Sequence, residues 1–176
     1  MPTPSSTYSL KPGVSLAERT TFRVPARAAW LAEVEAAAAL PELLARPEVA
    51  GLKLLALGAG SNTLFSRDYD GLVLHFANSG IEVLEDGEPA RIRVAAGEDW
   101  DGFVRWSLQR GYAGLENLIF IPGSVGAAPI QNIGAYGAEV AEFVAEVEAW
   151  DREARGSVRL TNRACEFGYR NSVFKR

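Results

Sequence analysis

The sequence predicts an α+β fold, and three observations support this class. Short apolar runs bounded by glycine or acidic turns recur along the chain, as expected for β-strands. Few segments have helical periodicity, and they do not alternate regularly with the strands as in a doubly wound α/β fold. Hydrophobic residues make up 48% and charged residues 23% of the chain, which is typical of a globular protein with a sizeable core.

The first part of the chain predicts strands and one short helix. Its start is rich in Pro, Ser and Thr, so we expect residues 1–18 to form a flexible lead-in. Pro41 restricts the residue before it and fits the first turn of a helix, which therefore begins near this proline. The apolar run 53–57 ends at Gly58, which indicates a buried strand. Further strands are expected at 21–24, 29–34 and 72–76.

The second part of the chain predicts a hairpin, a clear helix, and an alternating run followed by another short run after an Arg-Gly turn. Residues 81–84 and 91–94 flank an Asp-Gly turn, which is a hairpin signal. Asp99 is a favourable N-cap, apolar residues follow it at helical spacing, and Gly111 supplies the stop. The alternating run lies at 144–150, and the run after the Arg-Gly turn lies at 157–160.

Net charge and rare residues argue against several classes of protein. A net charge of -4 and a pI of about 5.1 argue against a nucleic-acid partner, because phosphate backbones attract positive faces. Cys165 and His75 are the only cysteine and histidine, so we expect no disulfide, no metal site and no Cys-His or Ser-His nucleophile. There is no signal-peptide core and no apolar stretch of roughly 20 residues. We therefore expect a cytoplasmic protein without a membrane partner.

The glycine turn, Gly58-Ala59-Gly60-Ser61-Asn62-Thr63, follows a predicted strand. It departs from the dinucleotide fingerprint of Rossmann folds, since Thr63 occupies the third glycine position and no helix is predicted next. A turn without bulky side chains can still direct its amides, with the Ser61 hydroxyl and the Asn62 amide, at a pyrophosphate. A plain turn between strands is the alternative.

The small-residue loop, Pro122–Gly137, is the most unusual stretch of the chain. It contains four glycines and three alanines, no charge and no helical or strand period. Such a backbone can lie close against a flat, largely apolar ligand and offer amides to its edge. A buried crossover that packs on the protein itself is the alternative. Ser124 lacks the frame of a nucleophile elbow, so acyl transfer is not expected.

Five segments carry a resemblance to a known family. They are Gly58–Asn62, Gly114–Leu118, Ile121–Gly126, Pro129–Gly137 and Cys165–Lys175. In this order they resemble the UDP-N-acetylenolpyruvoylglucosamine reductase family of bacterial cell-wall enzymes. The resemblance runs from about Thr21 to the end of the chain, and the last two segments are specific in combination.

The resemblance implies an FAD-binding fold of the PCMH, or vanillyl-alcohol-oxidase, type, with two small subdomains. We expect the first at 19–66 and the second, truncated, at 67–176, with the family's third, substrate-binding domain absent. The resemblance assigns the pyrophosphate to the glycine turn and the substrate mouth to Tyr136. It assigns the flavin and ribityl side to Gly123, Ser124, Gly126, Gln131 and Ile133.

The implied activity is the NADPH-dependent, FAD-mediated reduction of UDP-N-acetylglucosamine enolpyruvate to UDP-N-acetylmuramate by a monomeric enzyme of peptidoglycan synthesis. Hydride addition leaves negative charge that a fixed guanidinium can stabilise, and the resemblance gives this role to Arg170. In the family, the proton-donating serine and an assisting glutamate lie in the third domain. We therefore expect a truncated chain that binds FAD weakly and does not turn over substrate alone.

Two alternatives remain: another flavin oxidoreductase of the same fold, and a non-catalytic module that binds a nucleotide or a protein. The run 169–172, together with the absence of a histidine near the loops for covalent flavin attachment, argues against the first. We expect Cys165 to be a small core residue and His75 a strand residue with satisfied hydrogen bonds. A solvated acidic face is expected from Glu139, Glu142, Glu146 and Glu148.

Overall fold

The computed structural model describes residues 7–175, and the chain divides between Ser79 and Gly80 into two compact units. The α-helices are α1 (Leu40–Ala45) and α2 (Trp100–Gln109). The strands are β1 (Tyr8–Ser15), β2 (Arg27–Val34), β3 (Leu54–Ala56), β4 (Tyr69–Phe76), β5 (Ile81–Glu85), β6 (Arg91–Val94), β7 (Gly134–Ala135), β8 (Ala138–Glu139), β9 (Glu146–Asp151) and β10 (Gly156–Thr161). Each unit combines several strands with one α-helix, which confirms the predicted α+β class.

The first unit is built on a four-stranded sheet in the order β1-β2-β4-β3. β1 runs antiparallel to β2, whereas β2 and β3 are both parallel to β4. In the central strand β4, the consecutive residues Leu72, Val73 and Leu74 are all buried. Because successive side chains of a strand point to opposite faces, both faces of this sheet are covered.

The helix and the core of the first unit fix the strands on either side of the glycine turn. Helix α1 carries Pro41 in its first turn, as predicted, and buries Leu40 and Leu43. A core cluster contains Leu16, Ala26, Ala28, Leu31, Leu57, Phe65 and Val73. Leu57 precedes the glycine turn and Phe65 follows it, so both ends of the turn are anchored in this core.

In the second unit, the predicted helix α2 and the predicted hairpins are present. Asp99 is the N-cap of α2, and its Oδ2 accepts a hydrogen bond from the Gly102 amide at 2.7 Å. Gly111 follows the helix in the left-handed region, with φ of +81°. The pairs β5–β6 and β9–β10 are antiparallel. The core of this unit consists of Trp100, Val104, Leu118, Ala128 and Val140.

Two expectations for the start of the chain are wrong. Of the supposed lead-in, residues 1–6 lie outside the described part, but β1 occupies most of residues 7–18 and Leu16 is buried. The run 21–24 is not a strand, and Phe22 is 57% exposed. A strand needs a partner, and β1 rather than 21–24 supplies the antiparallel neighbour of β2.

Two further expectations for the first unit also differ from the structure. The strand at 53–57 is β3, but Leu54 and Leu55 are only half-buried because β3 lies at the edge of the sheet. The boundary expected after residue 66 instead falls after Ser79. The reason is that β4 is hydrogen-bonded between β2 and β3, and therefore belongs to the first sheet.

The rare residues lie where the sequence predicts. Cys165 is fully buried, and this burial raises the pKa of its thiol. The Nδ1 of His75, on β4, lies 3.0 Å from the Leu57 carbonyl oxygen. Among residues 7–175, no helix is long and apolar enough to cross a bilayer. In the same range, no group of three or more His, Cys, Asp or Glu side chains is arranged to hold a metal ion.

The acidic residues do not all belong to one solvated face. Glu142, Glu146 and Glu148 are exposed, as expected. Glu139 is half-buried, because its carboxylate accepts a hydrogen bond from the Nδ2 of Asn132 at 2.6 Å. It also accepts a capping bond from the main chain of Glu142, and it is therefore part of the structure around the small-residue loop.

Candidate functional site

The glycine turn in the first unit packs against the protein's own main chain. Gly60 is buried with φ of +66°, and a Cβ placed on it would lie 2.0 Å from the Arg19 carbonyl oxygen. The Thr21 amide donates to the Gly60 carbonyl oxygen at 3.2 Å. Glycine at this position is thus required by the approach of the segment Arg19–Thr21, and not by a ligand. Elsewhere in the turn, Gly58, Ser61 and Thr63 are half-buried, and Ala59 and Asn62 are exposed.

The small-residue loop in the second unit is tied to the segment that precedes α2. The amides of Val125 and Gly126 donate to the carbonyl oxygens of Glu98 and Ala96, at 2.9 and 2.8 Å. The Trp100 amide donates to the Gly123 carbonyl oxygen at 3.0 Å. These bonds hold the loop in one conformation, and they occupy two of the amides that the sequence suggested for a ligand.

Gly126 is a second position at which the close neighbour is the protein itself. A Cβ on Gly126 would lie 2.6 Å from the Ala96 Cβ and 3.0 Å from its Cα. Gly123, Ser124 and Gln131 are half-buried along the same loop. Ile133 packs against the apolar core of the second unit, and its amide donates to the Ala128 carbonyl oxygen at 3.1 Å.

Tyr136 lies at the tip of the hairpin formed by β7 and β8. Tyr136 and Gly137 both have positive φ, of +50° and +83°, as a two-residue type I′ turn requires. The Tyr136 side chain is 86% exposed. Asn117 supports the turn, since its Nδ2 donates to the Tyr136 carbonyl oxygen at 3.3 Å. The hairpin therefore presents an aromatic side chain to solvent from a fixed backbone.

Arg170 lies in a tight turn whose flanking residues, Gly168 and Asn171, exchange main-chain hydrogen bonds of 3.0 Å. Arg170 itself has φ of +50°. Its guanidinium is directed back to the small-residue loop: Nη2 donates to the Gly134 carbonyl oxygen at 2.5 Å, and Nη1 donates to the Asn132 carbonyl oxygen at 3.2 Å. Both acceptors are neutral, so they orient the guanidinium without neutralising its charge.

The structure thus brings Arg170 to the end of the small-residue loop, although it lies 33 positions after Gly137 in sequence. Tyr169 precedes it and is 85% exposed, with its ring centroid 5.5 Å from the Arg170 guanidinium carbon. The glycine turn belongs to the first unit.

Two polar residues of this region are missing from the set that the sequence predicted. Asn132 and Ser172 are both fully buried. The Ser172 hydroxyl donates to the Ile130 carbonyl oxygen at 2.6 Å. The Asn132 Nδ2 donates to Glu139 and, at 3.0 Å, to the Gly168 carbonyl oxygen, while its Oδ1 accepts from the Ala141 amide at 3.0 Å. An asparagine inside an uncharged loop was the available signal, because asparagine tolerates the left-handed region that it adopts here.

Similarity to known proteins places this chain in a class that binds a flavin nucleotide. The chain belongs to the FAD binding domain family, whose model matches residues 28–162. The chain is 53% identical over 156 residues to a UDP-N-acetylenolpyruvoylglucosamine reductase from Xanthomonas campestris, an alignment that covers 88% of this chain and 45% of the relative. It is 49% identical over 170 residues to one from Xylella fastidiosa, with 96% and 48% covered. The chain therefore spans about half the length of the curated relatives it matches.

Solved structures agree with this family. The crystal structure of UDP-N-acetylenolpyruvylglucosamine reductase from Thermus caldophilus is similar, with a TM-score of 0.75 and 25% identity, over 94% of this chain and 57% of that one. A flavoenzyme of caerulomycin biosynthesis has a TM-score of 0.64 and 17% identity, over 88% of this chain and 34% of that one, and it shows the same fold. The predicted fold, an FAD-binding α+β fold, is confirmed.

The residues of the small-residue loop fit such a cofactor chemically. A flat, largely apolar ring system needs an uncharged and partly open surface, and Gly123, Ser124 and Gln131 are uncharged and half-buried. The hydrogen bonds of Val125 and Gly126 fix this surface in advance, so little ordering is needed on binding. Beside it, Arg170 supplies one oriented positive charge for an anionic group.

Proposed function

We propose that this chain forms the FAD-binding part of a reductase that uses NADPH to convert UDP-N-acetylglucosamine enolpyruvate to UDP-N-acetylmuramate for peptidoglycan. Relatives that carry the reductase name, at about 50% identity over most of this chain, support the proposal. We also propose that the protein is cytoplasmic, because NADPH and the UDP-sugar substrate are cytoplasmic metabolites. We further propose that it is a monomer without a membrane partner, and its net charge of -4 argues against a nucleic-acid partner.

The observation that carries the proposal is the Arg170 guanidinium, held by two neutral carbonyl groups at the end of the small-residue loop. When bound, FAD would supply hydride to the enolpyruvyl double bond. Negative charge then develops on the neighbouring carbon and its carboxylate. A guanidinium that is already oriented can stabilise this charge without reorganisation and without losing its proton.

The other site residues also have proposed roles, and their exposure and neighbours indicate which of them could contact a ligand. We propose that the glycine turn, Gly58–Thr63, contacts the pyrophosphate through its more accessible members, Ala59 and Asn62. Gly123, Ser124 and Gln131 would lie against the flavin and the ribityl chain. Gly126 and Ile133 would act by shaping the loop, since they face Ala96 and the apolar core. The exposed Tyr136 would contact substrate at the mouth of the site.

The proposal is tested by NADPH oxidation in the whole protein loaded with FAD. We expect oxidation that depends on UDP-N-acetylglucosamine enolpyruvate and yields UDP-N-acetylmuramate in equal amount. The matched control substrate is UDP-N-acetylglucosamine, which lacks the double bond and should leave the NADPH consumption at background. A protein that retains FAD but shows no enolpyruvate-dependent oxidation would instead be a binding module or a flavoenzyme for another substrate.

A further inference from the structure

Asn132 connects the Arg170 turn to the segment that contains Glu139 and Ala141. Its Nδ2 donates to the carbonyl oxygen of Gly168, which is the residue that opens the Arg170 turn. Its own main-chain carbonyl oxygen accepts from Arg170 Nη1. The same residue therefore holds the backbone of the turn from one side and the guanidinium from the other.

Glu139 fixes the orientation of the Asn132 side-chain amide. The Nδ2–Oε2 distance is 2.6 Å, a short bond to a half-buried carboxylate, and such charge-assisted bonds are stronger than neutral ones. On the other side of the amide, Oδ1 accepts from Ala141. With all of these partners, the amide has one hydrogen-bonding orientation, and Asn132 has no room to rotate because it is fully buried.

Gly134 shows how tightly this arrangement is packed around the guanidinium. A Cβ on Gly134 would lie 3.0 Å from both Arg170 Nη1 and the Cγ of Glu139. Arg170 and Glu139 thus approach the same short strand closely. The Glu139 carboxylate accepts hydrogen bonds from the Asn132 side chain and from the main chain of Glu142, which hold it in place beside this strand.

We propose that Asn132 is a positioning residue: it locks the Arg170 turn and engages Glu139, so that the guanidinium is oriented and available for the carboxylate of the substrate. The inference rests on the proposed function of Arg170 as the cation at the reacting group. Asn132 acts only through Arg170 and does not itself touch the substrate.

The test compares Asn132→Gly with Asp151→Ala in the whole, FAD-loaded protein. Glycine keeps the left-handed backbone of residue 132, where φ is +45°, and removes only the side chain. Asp151 is the matched control, because its side chain also fixes a turn, by accepting from the amides of Glu153 and Ala154 at 2.8 and 2.9 Å, and it lies outside the proposed site. We expect Asn132→Gly to lower kcat by roughly 30- to 300-fold, with KM and FAD affinity within about threefold, because a misplaced catalytic group costs on the order of 100-fold. Asp151→Ala should leave kcat, KM and FAD affinity within about twofold.

A double-mutant cycle with Arg170→Ala separates positioning from general damage. If Asn132 acts through Arg170, adding Asn132→Gly to Arg170→Ala should have little further effect on kcat. Independent multiplication of the two losses would overturn the proposal, and so would a kcat for Asn132→Gly within threefold of the unaltered protein. Should Asn132→Gly not fold, Glu139→Gln weakens the bond that fixes the amide, and a loss of about 3- to 10-fold in kcat is expected.

A second readout does not depend on turnover. In a nitrogen-15 NMR spectrum of the FAD-loaded protein, the Arg170 Nη–H signals should be resolved and slow to exchange, because both Nη atoms are hydrogen-bonded. They should broaden or be lost in Asn132→Gly and persist in Asp151→Ala. An unchanged signal in Asn132→Gly would refute the positioning role even if the unaltered protein reduces no enolpyruvate, a result that would separately refute the proposed function.

Discussion

Gly60→Ala is expected to destabilise the protein by roughly 3–5 kcal/mol, because the new Cβ would overlap a main-chain carbonyl that cannot move away cheaply. The distance to the Arg19 carbonyl oxygen would be 2.0 Å, and the Thr20 Cα would lie at 2.9 Å. The left-handed φ of +66° adds a further cost for any residue with a Cβ. Chemical denaturation followed by circular dichroism measures the change.

Gly51→Ala is the matched control for this prediction. Gly51 has a similar φ of +77°, but an added Cβ would meet nothing within 4 Å. Alanine there should cost only the conformational part, about 1 kcal/mol. Equal losses for the two variants would show that Gly60 is needed for its φ alone, and that the contact with the segment Arg19–Thr21 is not close in solution.

Arg170→Ala is expected to have the largest effect on turnover. Removing one preorganised group that stabilises developing charge costs on the order of 100- to 1000-fold in kcat. We expect a loss of at least that size in the enolpyruvate-dependent assay on the whole protein, with FAD affinity changed by less than about threefold. Arg170→Lys should recover only part of the loss, because an ammonium cannot bond both the Asn132 and the Gly134 carbonyl oxygens from the geometry of a guanidinium.

Arg155→Ala is the control for the effect of the backbone. Arg155 also has positive φ, of +51°, and it lies exposed between β9 and β10. It shares the strain of a left-handed arginine but lies outside the loop that contacts Arg170. Its substitution should leave kcat within about twofold. If both alanine variants kept the activity of the unaltered protein, the assignment of Arg170 to the reacting charge would be wrong.

The local elements of this fold could be predicted where a short-range signal determines them. The N-cap Asp99 and the stop at Gly111 determine α2, and Pro41 places the start of α1. The hairpin β5–β6 follows from alternation around a turn. In these places, the residues that decide the structure are neighbours in sequence, so local reasoning was sufficient.

Long-range pairing explains where the sequence was misleading. The strand β1 is rich in polar and turn-forming residues, yet it pairs with β2, because this pairing satisfies the main-chain hydrogen-bonding groups of β2 on that side. The inclusion of β4 in the first unit depends on its position between two strands that are distant in sequence. Neither fact has a signature within a short window of residues.

The candidate site was predictable in location but not in its internal contacts. Both loops are recognisable in the sequence by their small residues, and the sequence alone suggests that the small side chains leave room for a ligand. The structure shows instead that the main chain of Arg19 and Thr20 fills the space at Gly60, and that Ala96 fills it at Gly126. The role of Asn132 has no local signature, because its three side-chain partners lie 7, 9 and 36 positions away and only the fold brings them together.

Retention of FAD by the whole protein is the decisive test of whether the glycine turn and the small-residue loop bind this cofactor. After incubation with FAD and removal of free cofactor by gel filtration, we predict one flavin per polypeptide, visible as flavin absorbance that elutes with the protein. A protein that is folded by circular dichroism but elutes colourless after the same treatment would show that the two loops do not bind FAD.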